Sequence, residues 1–308
     1  MTTPVARSNT PKMLIPGALN QILGQSYGEV TGELDGLFEM GKSDKYFEES
    51  VMLTGLGLAP NKSEGGAIFY DTARETWVAR AEHETVALGF QITEEQIEDN
   101  QYINMSKVLA KYIGRSMGNT KELKKANVLN RAFNTSYTQG PNGDGQPLIS
   151  ASHPTIGDGS QSNLFTADIS ETALESALTS ITKAKDDRGI LIGLRAKGIW
   201  IPPELKFTLH RILESDKRVG TADNDANALK DMNLLPGGMH VGTRLTDADA
   251  WFIDTDLVDP GLFYYERIAM QTKEDGDFDT GNFKFKARER YHVGSWGNFR
   301  KVWASAGV

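Results

Sequence analysis

The sequence contains no cysteine in 308 residues. Disulfide bonds, thiolate metal sites and a cysteine nucleophile are therefore excluded together. It also lacks any run of about eighteen apolar residues, the length that a membrane-spanning helix needs. The first residues lack the apolar stretch of a signal peptide. We therefore expect synthesis in the cytosol.

Metal and phosphate motifs are scarce as well. His83-Glu84 begins a zinc-protease pattern, but Ala87 stands where the second histidine is required. The acidic segment from Glu274 to Asn282 resembles a calcium loop, yet its glycine is one place late and its twelfth position is Lys286. We predict a tight turn capped by aspartate side chains there. No metal, cofactor or phosphate-binding glycine loop is predicted.

A nucleophile-elbow pattern occurs at Ser26, in the segment Gly24-Gln25-Ser26-Tyr27-Gly28. The mechanism needs a strand before the serine and a helix after it, and only about twenty residues of proline-punctuated chain precede this one. His153 lies beside Ser152 in the sequence, which does not orient it as a base. We predict no catalytic residue. A serine hydrolase built on Ser26 and His153 is the alternative from another class, and it would require loss of hydrolysis in Ser26→Ala.

Acidic side chains outnumber basic ones, and the formal net charge is −8. This argues against a protein whose whole surface binds nucleic acid. A local exception is the segment 283–291, in which four cations alternate with mostly apolar residues, as on one face of a strand. These cations are Lys284, Lys286, Arg288 and Arg290. They could contact phosphates, face solvent, or pair with acidic residues of a neighbouring subunit.

The longest regular pattern runs from Thr93 to Asn134 and predicts helix almost throughout. Thr93 and Gln96 have the spacing of a capping box. Apolar residues then recur at helical spacing, which predicts one buried stripe: Val108, Leu109, Tyr112, Ile113, Met117, Ala126, Leu129 and Phe133. Gly118-Asn119-Thr120 could end one helix and begin another. A rod of this length is typical of an extended subunit.

The segments around this helix have distinct characters. Residues 1–45 are poor in large apolar side chains and rich in proline and glycine, which predicts an arm. Residues 46–92 predict a long hairpin with its turn near residues 60–66. Residues 136–165 form a long polar loop of the kind that usually serves contact or function. Helices and strands alternate after it, so the pattern is α+β.

Several strings in the second half of the chain resemble those of tailed-bacteriophage major capsid proteins of the HK97 fold. In chain order they are Asn130-Arg131-Ala132-Phe133, Ser152-His153-Pro154, Ser162-Asn163, Asn224-Asp225, Leu245-Thr246-Asp247-Ala248-Asp249-Ala250-Trp251-Phe252, Asp277-Phe278-Asp279-Thr280-Gly281-Asn282 and Lys286-Ala287-Arg288-Glu289-Arg290-Tyr291. No single string is diagnostic, but the ordered set is fairly specific.

The resemblance implies an HK97-like capsid fold of the α+β class. Residues 1–45 would be the N-arm and 46–92 the extended E-loop hairpin. Residues 93–188 would form the peripheral domain with its long spine helix, 189–256 the axial domain, and 257–308 the return strands of the peripheral domain.

The resemblance also implies a function. The chain would be a non-enzymatic major capsid protein, made late in infection, that assembles in the bacterial host cytoplasm. Its hexamers and pentamers would form a procapsid that matures into the icosahedral head of the virion, around double-stranded DNA bound without sequence specificity. A separate scaffolding protein, a portal and decoration proteins are the expected partners. The candidate intersubunit contacts are Lys62, Phe69, Lys284, Lys286, Arg288 and Arg290.

Two departures and two alternatives accompany this interpretation. Some relatives begin with a long charged scaffolding segment, whereas this chain begins with a short arm. Some relatives crosslink an E-loop lysine to a neighbour's asparagine, but Lys62 alone does not show that chemistry and we predict no crosslink. An encapsulin-like compartment shares the fold and would hold a cargo protein instead of DNA. A DNA-binding protein that uses the basic strand would show strongly salt-dependent binding while unassembled.

Overall fold

The computed structural model describes residues 11–30, 32–98, 102–137, 143–217, 227–259, 261–277 and 279–307. The α-helices in these ranges are α1 (Pro11–Gly28), α2 (Glu94–Glu98), α3 (Tyr102–Asn130), α4 (Glu171–Thr182), α5 (Lys206–Glu214) and α6 (Ala228–Asp231). None of these helices is both long and apolar enough to cross a bilayer.

Thirteen strands accompany the helices in the described ranges. They are β1 (Glu39–Lys42), β2 (Phe47–Leu53), β3 (Glu75–Glu82), β4 (Glu84–Ile92), β5 (His153–Pro154), β6 (Ser160–Gln161), β7 (Leu164–Phe165), β8 (Ala196–Ile201), β9 (Met239–Val241), β10 (Trp251–Thr255), β11 (Leu262–Gly276), β12 (Phe283–Ser295) and β13 (Val302–Ser305).

Two mixed sheets form the framework. The first has the strand order β1-β11-β12-β4, and its β11–β12 and β12–β4 pairs are antiparallel. The second has the order β7-β13-β10-β8-β9 and buries one core against α4 and α5. Strands β2 and β3 pair only with each other as a hairpin, and β5 pairs with β6. The predicted combination of helix and sheet is confirmed.

Helix α3 is continuous over 29 residues, about 43 Å at the usual rise per residue. It passes through Gly118-Asn119-Thr120, where the sequence allowed a division. The Thr120 hydroxyl donates to the carbonyl oxygen of Ser116 at 2.9 Å, within the same helix, and so does not cap a new one. The predicted capping box is present ahead of α2, because Thr93 and Gln96 exchange hydrogen bonds of 3.4 Å.

The buried face of α3 matches the predicted stripe only in part. Ala110, Ile113 and Met117 are buried, as is the later part of the stripe at Ala126 and Leu129. Two residues predicted to face inward, Val108 and Tyr112, are 48% and 60% exposed. The prediction was wrong for them because apolar residues occupy both sides of this half of the helix. Spacing alone does not show which side packs against the sheet.

The N-terminal segment contains the eighteen-residue helix α1, where the sequence predicts only an arm. Leu19 and Leu23 are buried against α3. Gly114 of α3 makes the close approach possible, because a Cβ atom there would lie 2.6 Å from the Leu23 carbonyl oxygen. The amphipathic pattern of α1 is weak, since Pro16, Gly17 and Gly24 interrupt it. Residues 1–10 lie outside the described residues.

The return limb of the predicted hairpin consists of two strands. β3 pairs with β2 and ends before His83. β4 begins after His83 and pairs with β12 along nine residues. The last nine residues of the predicted 46–92 hairpin therefore form an edge strand of the first sheet. The imidazole of His83 is buried at the junction of β3 and β4 and lies 2.9 Å from the Ser43 hydroxyl. Burial lowers the pKa of His83, which favours the neutral ring.

Candidate assembly surfaces

The loop between β2 and β3, residues 54–74, has no regular secondary structure and carries large exposed apolar side chains. We call it the hairpin loop. Its exposed apolar residues include Leu56, Leu58, Ile68, Phe69 and Tyr70, and Tyr70 is 86% exposed. Grouped exposure of this kind is typical of surfaces that contact another molecule.

Two of the predicted contact residues, Lys62 and Phe69, lie in this loop. The Lys62 side chain is exposed. The Phe69 ring is 67% exposed, although a phenyl group of this size is usually mostly buried. The residues from Pro60 to Gly66 make a turn in which the Gly66 amide donates to the Ser63 carbonyl oxygen at 3.0 Å. The turn predicted at this place is confirmed.

The predicted cationic strand is β12, and three of its four cations share one exposed face. Lys284, Lys286 and Arg288 are exposed, whereas the alternate residues Phe285 and Ala287 are buried against α1 and α3. The strand alternation predicted from the sequence is therefore confirmed.

Arg290 is separated from the other three cations. It is half-buried at the base of the β2–β3 hairpin, where its guanidinium lies 5.5 Å from the centre of the Tyr46 ring. It also donates to the His83 carbonyl oxygen at 3.5 Å. The structure therefore places Lys62 and Phe69 on the hairpin loop and the exposed cations on one face of β12, and Arg290 belongs to neither surface.

The exposed cationic face is larger than the sequence indicates. Lys273 lies directly across from Lys286 in the β11–β12 register, so it adds a fourth cation. Lys284 is paired with Asp277 at 2.6 Å, and this hydrogen bond lowers the pKa of that carboxyl. Lys273, Lys286 and Arg288 have no anionic partner in the part of the chain that is described. The sequence does not indicate that Lys273 belongs to this face, because only the pairing of β11 with β12 brings it beside Lys286.

A groove of about 550 Å³ runs along this face. Gly89 of β4 forms part of its floor, where a Cβ atom would lie 2.7 Å from the Phe285 carbonyl oxygen. Lysines 273, 284 and 286 line the groove together with the acidic residues Glu274 and Asp275. Unpaired cations beside such a groove, on a protein of net charge −8, fit an acidic surface of another molecule.

The acidic turn between β11 and β12 has the geometry of an aspartate-capped turn. The Asp279 amide donates to Oδ1 of Asp277 at 3.3 Å, and the Gly281 amide donates to the Asp277 carbonyl oxygen at 2.8 Å. Gly281 adopts a φ of +66°, which favours glycine. The predicted turn is confirmed. Within the described residues, no group of three or more histidine, aspartate and glutamate side chains is arranged to hold a metal ion.

The two residues of the hydrolase alternative, Ser26 and His153, each make structural hydrogen bonds at separate places in the fold. Ser26 is buried within α1, and its hydroxyl donates to the Ile22 carbonyl oxygen at 2.7 Å. Ser26 lies inside this helix and not at a turn from a strand to a helix, so the elbow geometry is absent. His153 is fully buried, and its ring nitrogens face carboxylate and amide oxygens of Asp144 and Asn163 at 2.6 and 3.1 Å. Neither ring nitrogen is available to a serine.

His153 instead anchors the long polar loop predicted at residues 136–165. Its ring stacks on Phe299 with the centroids 4.2 Å apart. The amide of Asn163 donates to the carbonyl oxygens of Leu148, Phe299 and Val302 at 2.9 to 3.0 Å. The loop is therefore held against the C-terminal strand by buried polar contacts, and no sequence motif predicts them. Residues 138–142 of the loop lie outside the described residues.

Comparison with known proteins identifies the fold. The chain is similar to the subunit of a virus-like particle from Pyrococcus furiosus, with 13% identity, a TM-score of 0.55 and coverage of 94% of this chain and 98% of that one. It is also similar to the capsid of cyanophage P-SCSP1u, with 12% identity, a TM-score of 0.52 and coverage of 88% and 86%. A third similar structure is from Mycobacterium phage Bobi, with 12% identity, a TM-score of 0.52 and coverage of 90% of each chain.

At these identities the structural matches show the fold alone, and no curated protein matches the sequence. The sequence itself supplies the family, because the model of the phage capsid protein family matches residues 78–305. That range includes most of both sheets, the long helix and the cationic strand. The chain therefore belongs to the phage capsid protein family and has the HK97-like fold of tailed-phage capsid subunits.

Proposed function

We propose that this chain is the major subunit of an icosahedral head that encloses double-stranded DNA, and that it assembles as hexamers and pentamers. The exposed apolar side chains of the hairpin loop carry the proposal. Burying one large apolar side chain is worth roughly 1.5–3 kcal/mol, so leaving Leu58, Phe69 and Tyr70 in water is costly for a monomer. A second copy of the chain would cover them.

The proposed domains of the subunit are those that the family resemblance implies. Residues 1–45 would act as the N-arm, 46–92 as the E-loop hairpin, 93–188 as the peripheral domain, 189–256 as the axial domain and 257–308 as the return strands. The separate β2–β3 hairpin and the long helix α3 support this division. The continuation of residues 84–92 into the first sheet favours moving the end of the hairpin to His83.

The cationic face of β12 would contact acidic residues of a neighbouring subunit. The unpaired Lys286 and Arg288, together with Lys273 of the adjacent strand β11, support this role, and Lys284 has part of its charge neutralised by Asp277. The head would enclose DNA without sequence-specific contacts, and the acidic total charge supports weak binding that allows packing and release.

The subunit would have no catalytic activity. The buried hydroxyl of Ser26 and the enclosed ring of His153 support this conclusion, since each is already occupied by a structural hydrogen bond. A separate scaffolding protein, a portal and decoration proteins would complete the particle, which would assemble in the cytoplasm of the bacterial host before it matures.

Sedimentation velocity at several concentrations, with negative-stain images of the fast fraction, tests the proposal. We expect wild-type protein to form rings, tubes or closed shells, and Phe69→Ser to reduce their yield. Val258→Ser is a matched control, because Val258 is 95% exposed but lies far along the chain from the hairpin loop. A compact monomer at every concentration would contradict the proposal. Particles that hold a cargo protein instead of DNA would favour the compartment alternative.

A further inference from the structure

The hairpin loop is held at its base and free at its tip, residues 58–70. At the base, the Thr54 amide donates to the Arg74 carbonyl oxygen and the Arg74 amide donates to the Thr54 hydroxyl, both at 2.9 Å. The described hydrogen bonds of the tip are confined to its own turn at Ser63 and Gly66. The direction of the tip therefore depends on what holds the base.

One arginine from outside the hairpin holds the base. Arg188 donates from Nη1 to Oδ2 of Asp71 at 2.6 Å and from Nη2 to the Thr72 carbonyl oxygen at 2.7 Å. The Gly57 amide, on the opposite limb of the loop, donates to the same Asp71 oxygen at 2.7 Å. The amides of Gly57 and Thr72, followed by Arg188, lower the pKa of Asp71 and keep it ionised. Arg188 thus connects both limbs to one point.

The turn that carries Arg188 is itself braced. Oδ1 of Asp186 accepts from the amides of Arg188 and Ile190, both at 2.8 Å. The buried side chain of Arg300 donates to the Lys185 carbonyl oxygen and to Oδ1 of Asp187, both at 2.7 Å. Because these bonds fix the turn to the C-terminal part of the chain, Arg188 is a stationary anchor and the loop is the part that it restrains.

We infer that the Arg188–Asp71 pair is an intramolecular latch that sets the direction in which the tip leaves the subunit, and so positions the tip for a second copy of the chain. The inference rests on the proposed function in one respect, that the tip is an intersubunit contact. Heterologous contacts give a closed ring only when the rotation between neighbouring copies closes, and otherwise give open filaments. Restraint before docking also reduces the conformational entropy that the tip loses on binding.

Arg188→Ala tests the latch in the unassembled full-length subunit. The readout is the rate of tryptic cleavage after Lys62, measured by mass spectrometry. Losing this charge-assisted pair should speed cleavage about tenfold, while the melting temperature stays close to that of wild type because the pair is partly exposed. Arg188→Lys keeps the charge but cannot make the two-pronged contact. Its cleavage rate should therefore lie between those of the wild type and Arg188→Ala.

Arg80→Ala is the matched control. Arg80 forms a comparable ion pair with Glu49, but both residues lie within the β2–β3 hairpin and do not connect the loop to the turn. This variant should cleave after Lys62 at the wild-type rate. Cleavage that is no faster in Arg188→Ala than in Arg80→Ala would overturn the latch.

Assembly tests the positioning role. Arg188→Ala should give fewer closed shells and more irregular aggregates than Arg80→Ala in negative-stain images. Fast cleavage combined with shells of normal yield and size would overturn that role. The proposed function fails separately, if the wild-type subunit stays a compact monomer at every concentration. The cleavage assay does not depend on that result, so the two failures are distinguishable.

Discussion

The hydroxyl of Tyr27, near the end of α1, donates a hydrogen bond to Oε2 of the buried Glu289 in β12 at 3.0 Å. The ammonium of Lys121, from α3, lies 3.4 Å from the same oxygen. It also lies 4.9 to 5.5 Å from the ring centres of Tyr27, Tyr264 and Tyr291. One carboxylate and one lysine therefore connect the N-terminal helix, the long helix and the first sheet.

This carboxylate should give the subunit an unusual dependence on pH. Burial raises the pKa of Glu289 above 4.5, its ordinary value, although Lys121 and Tyr27 oppose the shift. The folded state therefore binds this proton more tightly than the unfolded state does. The resulting stabilisation is complete below the ordinary pKa and is lost as the pH rises through the raised one.

Replacing the carboxyl with an amide should remove that dependence. Relative to Glu289→Gln, the wild-type free energy of unfolding should fall as the pH rises from about 4 to about 8. Urea unfolding of the unassembled subunit at a series of pH values measures the difference. A difference that stays constant over this range would contradict the prediction.

Gly114→Ala should destabilise the subunit although alanine is the better helix former. The new Cβ would lie 2.5 Å from the Ser26 hydroxyl oxygen and 2.6 Å from the Leu23 carbonyl oxygen, so α1 must move away. Overpacking of this kind costs about 1–3 kcal/mol in the free energy of unfolding. Gly24→Ala is the control, because nothing lies within 4 Å of its Cβ position and the change should stabilise α1 slightly. If both variants changed the free energy of unfolding in the same direction, the prediction would be wrong.

His153→Ala should lower the free energy of unfolding by about 1–3 kcal/mol, the usual cost of leaving a buried hydrogen-bonding group without its partner. The Asp144 side chain is 3% exposed and would lose its imidazole partner, while Phe299 would lose the ring stacked on it. Chemical denaturation measures the change. His210→Ala is the control, since His210 is exposed on α5 and should have little effect. A small loss in His153→Ala would show that the loop does not depend on this residue.

Reversing charge on the cationic face should weaken assembly without unfolding the subunit. Lys286→Glu and Arg288→Glu should each raise the protein concentration needed for assembly, and added salt should weaken wild-type assembly in the same direction because it screens exposed charges. Light scattering measures the onset. Lys183→Glu, an exposed lysine at the end of α4, controls for the change in net charge. Equal effects of the three variants would remove the case for a specific interface.

Local patterns predicted several elements well. The apolar residues of α4 recur at helical spacing along one face, and this face is buried: Leu174, Ala177, Leu178 and Ile181. Alternation on β12 correctly separated the exposed Lys286 from the buried Ala287. Such predictions succeed where one face of an element is clearly apolar, because burial then follows from periodicity.

Other features required contacts between residues far apart in sequence. Tyr27 and Glu289 lie 262 positions apart, and Asp71 and Arg188 lie 117 apart. No spacing rule links such pairs. The buried side of α3 was ambiguous for the same reason, since only the position of α1 and the sheet distinguishes Ile113 from Tyr112.

The sequence by itself determined the family, the α+β class, the long helix and the alternation of the cationic strand, because these depend on composition, local order and short-range periodicity. Tertiary structure alone decided that the N-terminal segment is a helix packed on α3, that Lys273 joins Lys286, and that Arg188 restrains the hairpin loop. These are long-range relationships, and they exist only once the chain has folded and brought distant backbone segments together.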